Sequence, residues 1–316
     1  MNTTTSLVFA DEISAPTQER IRDVLEDLAF QAGRGPVTLE CIHGGASNEN
    51  FRLDTADRSL VLRIAAQDVK RFGIDRERGA EAHLAAQDIS ITPRMISRVD
   101  SGHCLMEFCP GRVLDEQIIR EPGVLAMVAR TLRELHTRCR VDGAWSAHAD
   151  IDLYLALAAE EDLALPNDID EMHEAAEEIK ALFDRLDIPA ALCHNDVQLP
   201  NFILDGDRLW LVDWEYAGMA NPYFDLAMVA SNANLDDDER SELVTAYWGA
   251  PDDRQSARVR LQQFVSALRE ATWSVIAAPV LDGTGWDYAA WATQYFDRCR
   301  RLLSSDAVAI DLTQAK

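Results

Sequence analysis

Between residues 17 and 31, "TQERIRDVLEDLAFQ" places apolar side chains at Ile21, Val24, Leu25, Leu28 and Ala29. Steps of three and four put them on one face of a helix. The period then drops to two. Residues 37–66, "VTLECIHGGASNENFRLDTADRSLVLRIAA", read as two β-rich runs around "HGGASNENF" and a third after the turn "TADRS", an antiparallel meander of three strands. Residues 74–88 return to helical spacing, and "TPRMISRVDSGHCLMEFCPG" reads as two further strands ending at Pro110-Gly111. After Gly111 the pattern is mostly helical. "VLAMVARTLRELHTRC" is amphipathic, residues 150–188 carry Asp and Glu in a helical pattern and are expected to form a solvated outer layer, and residues 236–302 are helices again. The chain therefore reads as a mostly β part, about 1–109, followed by a mostly α part, 110–316.

One β island interrupts the helices, within "LCHNDVQLPNFILDGDRLWLVDWEYAG", residues 192–218. "FILDGDRLWLV" reads as a hairpin with Asp205-Gly206 at the turn between two apolar runs. Folding it brings its ends together. Asn201 stands just before the first strand and Asp213 just after the second, nearly equidistant from the turn, so their side chains converge; Asp196 lies on the loop leading in. Two oxygen donors at one hairpin mouth, with a third carboxylate nearby, suit a hard cation such as Mg²⁺. The same residues also suit an Asx-turn network that holds no ligand.

Composition narrows the partners. The 316 residues are 47% hydrophobic and carry a formal net charge of −24. Such a field repels nucleic acid and anionic lipid and attracts cations, so neither a nucleic acid nor a membrane is expected as partner. Most of the charge is expected on solvated faces. No run of about 18 apolar residues suggests a transmembrane helix. The N-terminus lacks the basic start of a signal peptide, and the six cysteines are scattered without a C-x-x-C pair. They read as reduced thiols of a cytoplasmic protein.

The Asp196, Asn201 and Asp213 set suits phosphoryl transfer, in which a metal neutralises nucleotide phosphates and a separate Asp orients the attacking hydroxyl. His194-Asn195-Asp196, with Asn201 five residues after the Asp and Asp213 beyond a hairpin, repeats the spacing of a kinase catalytic loop. Kinases also need glycines over the phosphates and a cation on the next strand. "GGASN", Gly44 to Asn48, lies between two predicted strands, and "LVLRI" offers Arg63. The helix that follows supplies Glu77 and Glu81 as partners for that charge. His136, on the apolar face of "LRELHT", reads as a core histidine.

With these blocks in this order, the chain resembles the choline kinase and aminoglycoside phosphotransferase superfamily, and within it the bacterial choline/ethanolamine kinase branch. The motifs that carry the resemblance are "GGASNENF", "LVLRI", "IDRERGAE", "LMEFCPG", "LRELHT", "CHNDVQLPNFI", "LWLVDWEYAGMANPYFDLA" and "REATWSVIA", across residues 38–302. The resemblance implies an α+β, two-lobed protein-kinase-like fold, with a small antiparallel β N-lobe that binds nucleotide and a mostly helical catalytic C-lobe. It implies ATP as co-substrate and Mg²⁺ as cofactor. Asp196 would be the catalytic base, and Asn201 and Asp213 would hold the metal. Gly44, Gly45, Ser47 and Asn48 would form the phosphate loop, Arg63 would contact the phosphates with Glu81 as its helix partner ahead of Glu77, and Glu107 to Cys109 would be the adenine hinge. His194 and Asp225 would brace the catalytic loop.

The acceptor implied is a small cation such as choline. A quaternary ammonium is best held against aromatic faces with carboxylates nearby. The candidates are Gln198, Glu215, Tyr216, Glu270, Trp273, Tyr288 and Trp291, with Trp214 beside them. One departure stands out. Eukaryotic choline kinases carry Trp-x-x-Trp where this chain has Glu270-x-x-Trp273, so ethanolamine, methylated ethanolamines or another amino alcohol stay in play. Other readings are the same chemistry on thiamine or an aminoglycoside, and an inactive nucleotide-binding or interaction protein. The short "GTGW" loop favours a small acceptor, and intact Asp196, Asn201, Asp213 and Arg63 oppose an inactive protein. A metal-dependent hydrolase lacks the extra ligands of a two-metal site.

Overall fold

The computed structural model describes residues 6–33, 35–43, 48–66, 70–250, 252–281, 286–304 and 307–316. They fall into two compact units. The first comprises residues 1–68 and 92–110, the second residues 69–91 and 111–316. The helix-bearing segment 69–91 thus groups with the second unit rather than with the strands on either side of it in sequence.

The first unit is a six-stranded sheet backed by one helix. Strands β1 (Leu7–Phe9), β2 (Val37–Ile42), β3 (Glu49–Asp54), β4 (Ser59–Ile64), β5 (Met95–Arg98) and β6 (Cys104–Glu107) lie in the order β1-β2-β3-β4-β6-β5. The expected meander is β2-β3-β4, paired with Phe51 opposite Leu62 and Leu53 opposite Leu60. The sheet is not wholly antiparallel. β1 runs parallel to β2, pairing Leu7 with Val37. Helix α1 (Ala15–Asp27) starts at Ser14, whose side chain accepts from the Thr17 N–H. It buries Ile21, Val24 and Leu25 against Val37, Leu39, Leu53, Leu60 and Leu62. Each such side chain contributes about 1.5–3 kcal/mol on leaving water.

The second unit begins with α2 (Arg76–Asp88), capped by Asp75. Strand β7 (Arg112–Val113) follows, then the helices α3 (Val124–Arg138), α4 (Ala147–Glu160) and α5 (Ile169–Phe183). Strands β8 (Ala191–Cys193), β9 (Phe202–Asp205), β10 (Arg208–Leu211) and β11 (Gly218–Ala220) form the β island. Helices α6 (Pro222–Asn232), α7 (Asp237–Trp248), α8 (Asp253–Ala277), α9 (Tyr288–Ser304) and α10 (Ala307–Gln314) complete the unit. α7 opens with a capping box between Asp236 and Glu239, and Gly249 ends it in the left-handed region. α8 is buried along most of its length, so α6, α9 and α10 pack around it.

The solvated layer expected over residues 150–188 is only half right. α5 exposes its acids and buries Met172, Ala176, Ile179 and Leu182. α4 is an inner helix on one face, where Asp150, Ile151, Tyr154 and Ala158 are buried. Its acidic positions hid the apolar stripe between them.

Candidate active site

The hairpin forms as its sequence dictates. β9 and β10 pair from Asp205–Arg208 to Phe202–Leu211, and Gly206 takes the left-handed φ of +59° that the two-residue turn requires. The pairing continues one step further, where the Val212 N–H donates to the Asn201 C=O at 2.9 Å. Asn201 and Asp213 therefore meet at the hairpin mouth. The Asn201 side-chain amide donates to the Asp196 carbonyl at 2.8 Å, which ties the loop carrying Asp196 to the same mouth.

A buried carboxylate holds that loop. Asp225, on α6 and fully buried, accepts the backbone N–H groups of His194 and Asn195, each at 2.8 Å. His136 Nε2 lies 3.0 Å from the same carboxylate, and its Nδ1 lies 2.7 Å from the Tyr247 hydroxyl. His136 is thus buried, as its place on an apolar face predicted, but within a polar chain. Cys193 adjoins His136 and Asp225, yet both Asp225 oxygens are already engaged. His194 Nε2 donates to the Val212 carbonyl at 3.0 Å, and its ring meets Trp214 edge-on at 4.8 Å. Burial lowers its pKa, so it stays neutral and sits as a strut between loop and hairpin.

Two non-glycine residues here adopt left-handed backbone, Asn195 at φ +61° and Asp213 at φ +73°. Each costs on the order of 1 kcal/mol, and Asn and Asp tolerate it best. The Asn195 side chain donates to the Tyr216 carbonyl at 3.0 Å, fixing the segment after Asp213. α2 supports the same segment. Arg78 Nε donates to the Ala217 carbonyl at 2.8 Å, and a Cβ on Gly79 would lie 2.8 Å from the Trp214 carbonyl oxygen. Glycine at 79 is what permits this approach.

The electrostatics are set by crowded carboxylates. Asp196 is pushed up to about 8, by burial first and then by Glu270, Asp213 and Glu215, with Arg269 pulling the other way. Asp213 and the Asn201 side-chain oxygen are hard donors of the kind Mg²⁺ takes. The carboxylates gathered around Asp196 favour a cation beside them, so the residues fit such an ion.

Beyond the hairpin, the candidate acceptor residues divide. The Tyr216 hydroxyl accepts from Trp273 Nε1 at 3.0 Å, and the Trp273 ring lies 5.6 Å from Phe72 and 5.9 Å from Tyr288. Tyr216, Trp273 and Tyr288 thus form one group. The ring neighbours of Trp291 are Trp286 and Tyr295. Trp214 is a core residue, set between His83 and His194. Gln198 and Glu215 are half-buried beside Asp196 and Asp213 in sequence, and Glu270 is buried on α8.

In the first unit, Arg63 Nε donates to the Asn50 side chain across the β3–β4 pair, and the Asn48 side-chain oxygen accepts from the Ala66 N–H. The Glu107 and Phe108 amides donate to the carbonyls of Arg94 and Ser59 within the sheet, and Cys109 is buried. Glu81 and Glu77 are exposed on α2 in the second unit. Gly44, Gly45 and Ser47 lie outside the described residues, as does most of the "GTGW" loop.

Two groups escaped the sequence reading. Arg269, 1% exposed, donates to Asp150 at 2.9 Å and to Glu270 at 3.0 Å, with its guanidinium carbon 4.3 Å from the Tyr216 ring centre. Tyr295 and Asn232 form the second, with Asn232 donating to the Val197 carbonyl at 3.2 Å. The signal for Arg269 was an adjacent Arg-Glu pair inside an otherwise apolar helical run; nothing local pointed to Asp150 as its partner.

Residues 38–261 match the model of the phosphotransferase enzyme family. Protein LicA of Haemophilus influenzae is 28% identical over 65% of this chain and 61% of its own length. Ethanolamine kinase 1 of Mus musculus is 26% identical over 58% of this chain and 54% of its own. The chain thus spans less than two thirds of either relative. A choline/ethanolamine kinase family protein from Mesorhizobium loti superposes with a TM-score of 0.81 at 25% identity, over 95% of this chain and 98% of that one. The fold is the α+β, protein-kinase-like one. The matched segment takes in most of the chain and the whole hairpin site with its Asp225 clamp, and the chain belongs to the phosphotransferase enzyme family.

Proposed function

We propose that this chain transfers the γ-phosphate of ATP to the hydroxyl of a small cationic amino alcohol: choline, ethanolamine or a methylated ethanolamine. The observation that carries the reading is the meeting of Asp196, Asn201 and Asp213 at one hairpin mouth. The names of the LicA and ethanolamine kinase relatives support the acceptor class.

Asp196 acts as the base. It orients the acceptor hydroxyl and takes its proton as the oxygen attacks phosphorus. Asn201 positions Asp196 through its side-chain amide, and Asp225 keeps the loop from drifting. Mg²⁺ on Asp213 and the Asn201 oxygen would neutralise charge on the nucleotide phosphates. Arg63 contacts those phosphates, and Asn48 belongs to the phosphate loop with Gly44, Gly45 and Ser47. Glu107 to Cys109 serve adenine, although two of these amides are engaged in the sheet. Gln198, Glu215, Tyr216, Glu270, Trp273, Tyr288 and Trp291 serve the acceptor. We place the reaction in the cytoplasm, where the six free thiols stay reduced.

The test is ADP release with Mg-ATP and choline, ethanolamine, dimethylethanolamine, thiamine or kanamycin. Saturable turnover on the amino alcohols is expected. Asp196→Asn should lower it about 10²–10⁴-fold while Mg-ATP still binds. Turnover on thiamine or kanamycin alone would move the acceptor class. ATP binding with no turnover on any acceptor would favour a binding module.

A further inference from the structure

Resting on the kinase reading above, we infer that the acceptor pocket takes an ammonium that still carries N–H bonds, a primary, secondary or tertiary amino alcohol rather than a quaternary one, and that Glu270 accepts those hydrogen bonds.

The inference starts from α8. Arg269 and Glu270 are neighbours on it, 1% and 7% exposed. The guanidinium bonds to Asp150 on one side and to Glu270 Oε1 on the other. Two buried carboxylates therefore share one cation in direct contact. Arg78, the next guanidinium toward Asp150, is engaged by the carbonyls of Ala217 and Ala144. The Arg78 charge acts on the Asp150 side, which leaves Glu270 with Arg269 as its one cation, and a buried carboxylate is costly unless cations or hydrogen bonds meet it. Glu270 Oε2 accepts no hydrogen bond among the described residues. The Arg269 guanidinium that holds this carboxylate lies over the Tyr216 ring, and the Tyr216 carbonyl is bonded by the side chain of Asn195 next to the base, so Glu270 belongs to the group of residues around the loop that carries Asp196.

The aromatic side of the pocket points the same way. A quaternary ammonium needs ring faces, because it donates nothing. One face of Tyr216 is already covered by the Arg269 guanidinium at 4.3 Å. The Tyr216 hydroxyl is bonded by the Trp273 indole, which leaves Trp273 as a half-buried ring one turn along α8 from Glu270. Trp273 keeps Phe72 and Tyr288 as ring neighbours, and beside this group Glu270 offers an unused carboxylate oxygen, which a quaternary ammonium cannot bond. A site built to bond an N–H group penalises an analogue that lacks it, because its own polar atom is left unpaired.

The experiment is a methylation series with Mg-ATP: ethanolamine, N-methylethanolamine, N,N-dimethylethanolamine and choline. As cations they carry three, two, one and no N–H bonds. The expected result is a break at the last step, with kcat/KM at least about 10-fold lower for choline than for dimethylethanolamine. Glu270→Gln should raise the KM for ethanolamine about 10–100-fold and narrow its advantage over choline. Calorimetric Mg-ATP binding by the variant checks that it is folded. Choline used as well as or better than ethanolamine would overturn the inference and leave the kinase reading standing, as would a Gln variant with an unchanged ethanolamine-to-choline ratio. No turnover on any of the four, with Mg-ATP bound, would overturn both.

Discussion

Asp225→Asn changes one atom, and its cost can be worked from the structure. The carboxylate is fully buried and accepts from the His194 N–H, the Asn195 N–H and His136. The asparagine oxygen can replace Oδ2, which serves His194 and His136. Its NH₂ group then faces the Asn195 N–H, donor against donor. A hydrogen bond to a charged acceptor is worth about 1.5–3 kcal/mol, and each of the two retained bonds falls to neutral strength at a loss of about 1 kcal/mol. The sum is about 3–5 kcal/mol. At about 1.5 °C per kcal/mol for a chain of 316 residues, Tm should drop by roughly 5–8 °C. Asn195 sits at φ +61° and is held there by that bond, so the loop also relaxes. A displacement of about 1 Å at Asp196 should lower kcat on the order of 10²-fold. Urea titration followed by circular dichroism gives the first number and ADP release the second. A variant less than about 1 kcal/mol destabilised would refute the reasoning, since no buried donor could then have lost its acceptor.

Three further outcomes are expected. His148 is pushed down to about 4, by burial first and then by Lys180, with its side chain 13% exposed. The folded state prefers it neutral, so its stability is fully present above pH 6.5 and is lost as pH falls from 6.5 toward 4, by about 3 kcal/mol; urea titrations of His148→Asn against pH should lack that slope. Gly79→Ala sets a methyl 2.8 Å from the Trp214 carbonyl, and thermal melts should show a loss of about 1–3 kcal/mol. Asp213→Asn removes the charged oxygen donor and should shift the Mg²⁺ dependence of turnover to at least about 10-fold higher concentration, read by Mg²⁺ titration at saturating ATP.

What the chain reveals before folding follows the range of the interactions. The hairpin was readable because Asp205-Gly206 and two apolar runs are local, and the meeting of Asn201 with Asp213 is a consequence of register alone. The helix faces of α1 and α3 followed from spacing. The parallel strand β1 was not readable, since three residues carry no period and its partner lies 30 positions away. The Arg269–Asp150 pair joins α8 to α4 across 119 residues, and no local pattern encodes it. Trp214 shows the opposite failure. Its neighbours in sequence suggested a ligand face, and only the packing of His83 and His194 shows it to be core.

The left-handed backbone at Asp213 limits which mutational paths remain open there. On the proposed reading as a donor to Mg²⁺, the position asks for an oxygen-bearing side chain and for a φ of +73° at once. Glutamate meets the first demand as well as aspartate does, yet it lacks the short side chain that makes that dihedral tolerable. Glycine meets the second and brings no oxygen. By charge alone, exchange with glutamate is the mildest substitution available. By dihedral it is among the harsher ones, and only asparagine satisfies both demands in part. Drift at this site therefore has a single halfway stop, and that stop weakens the donor for the cation.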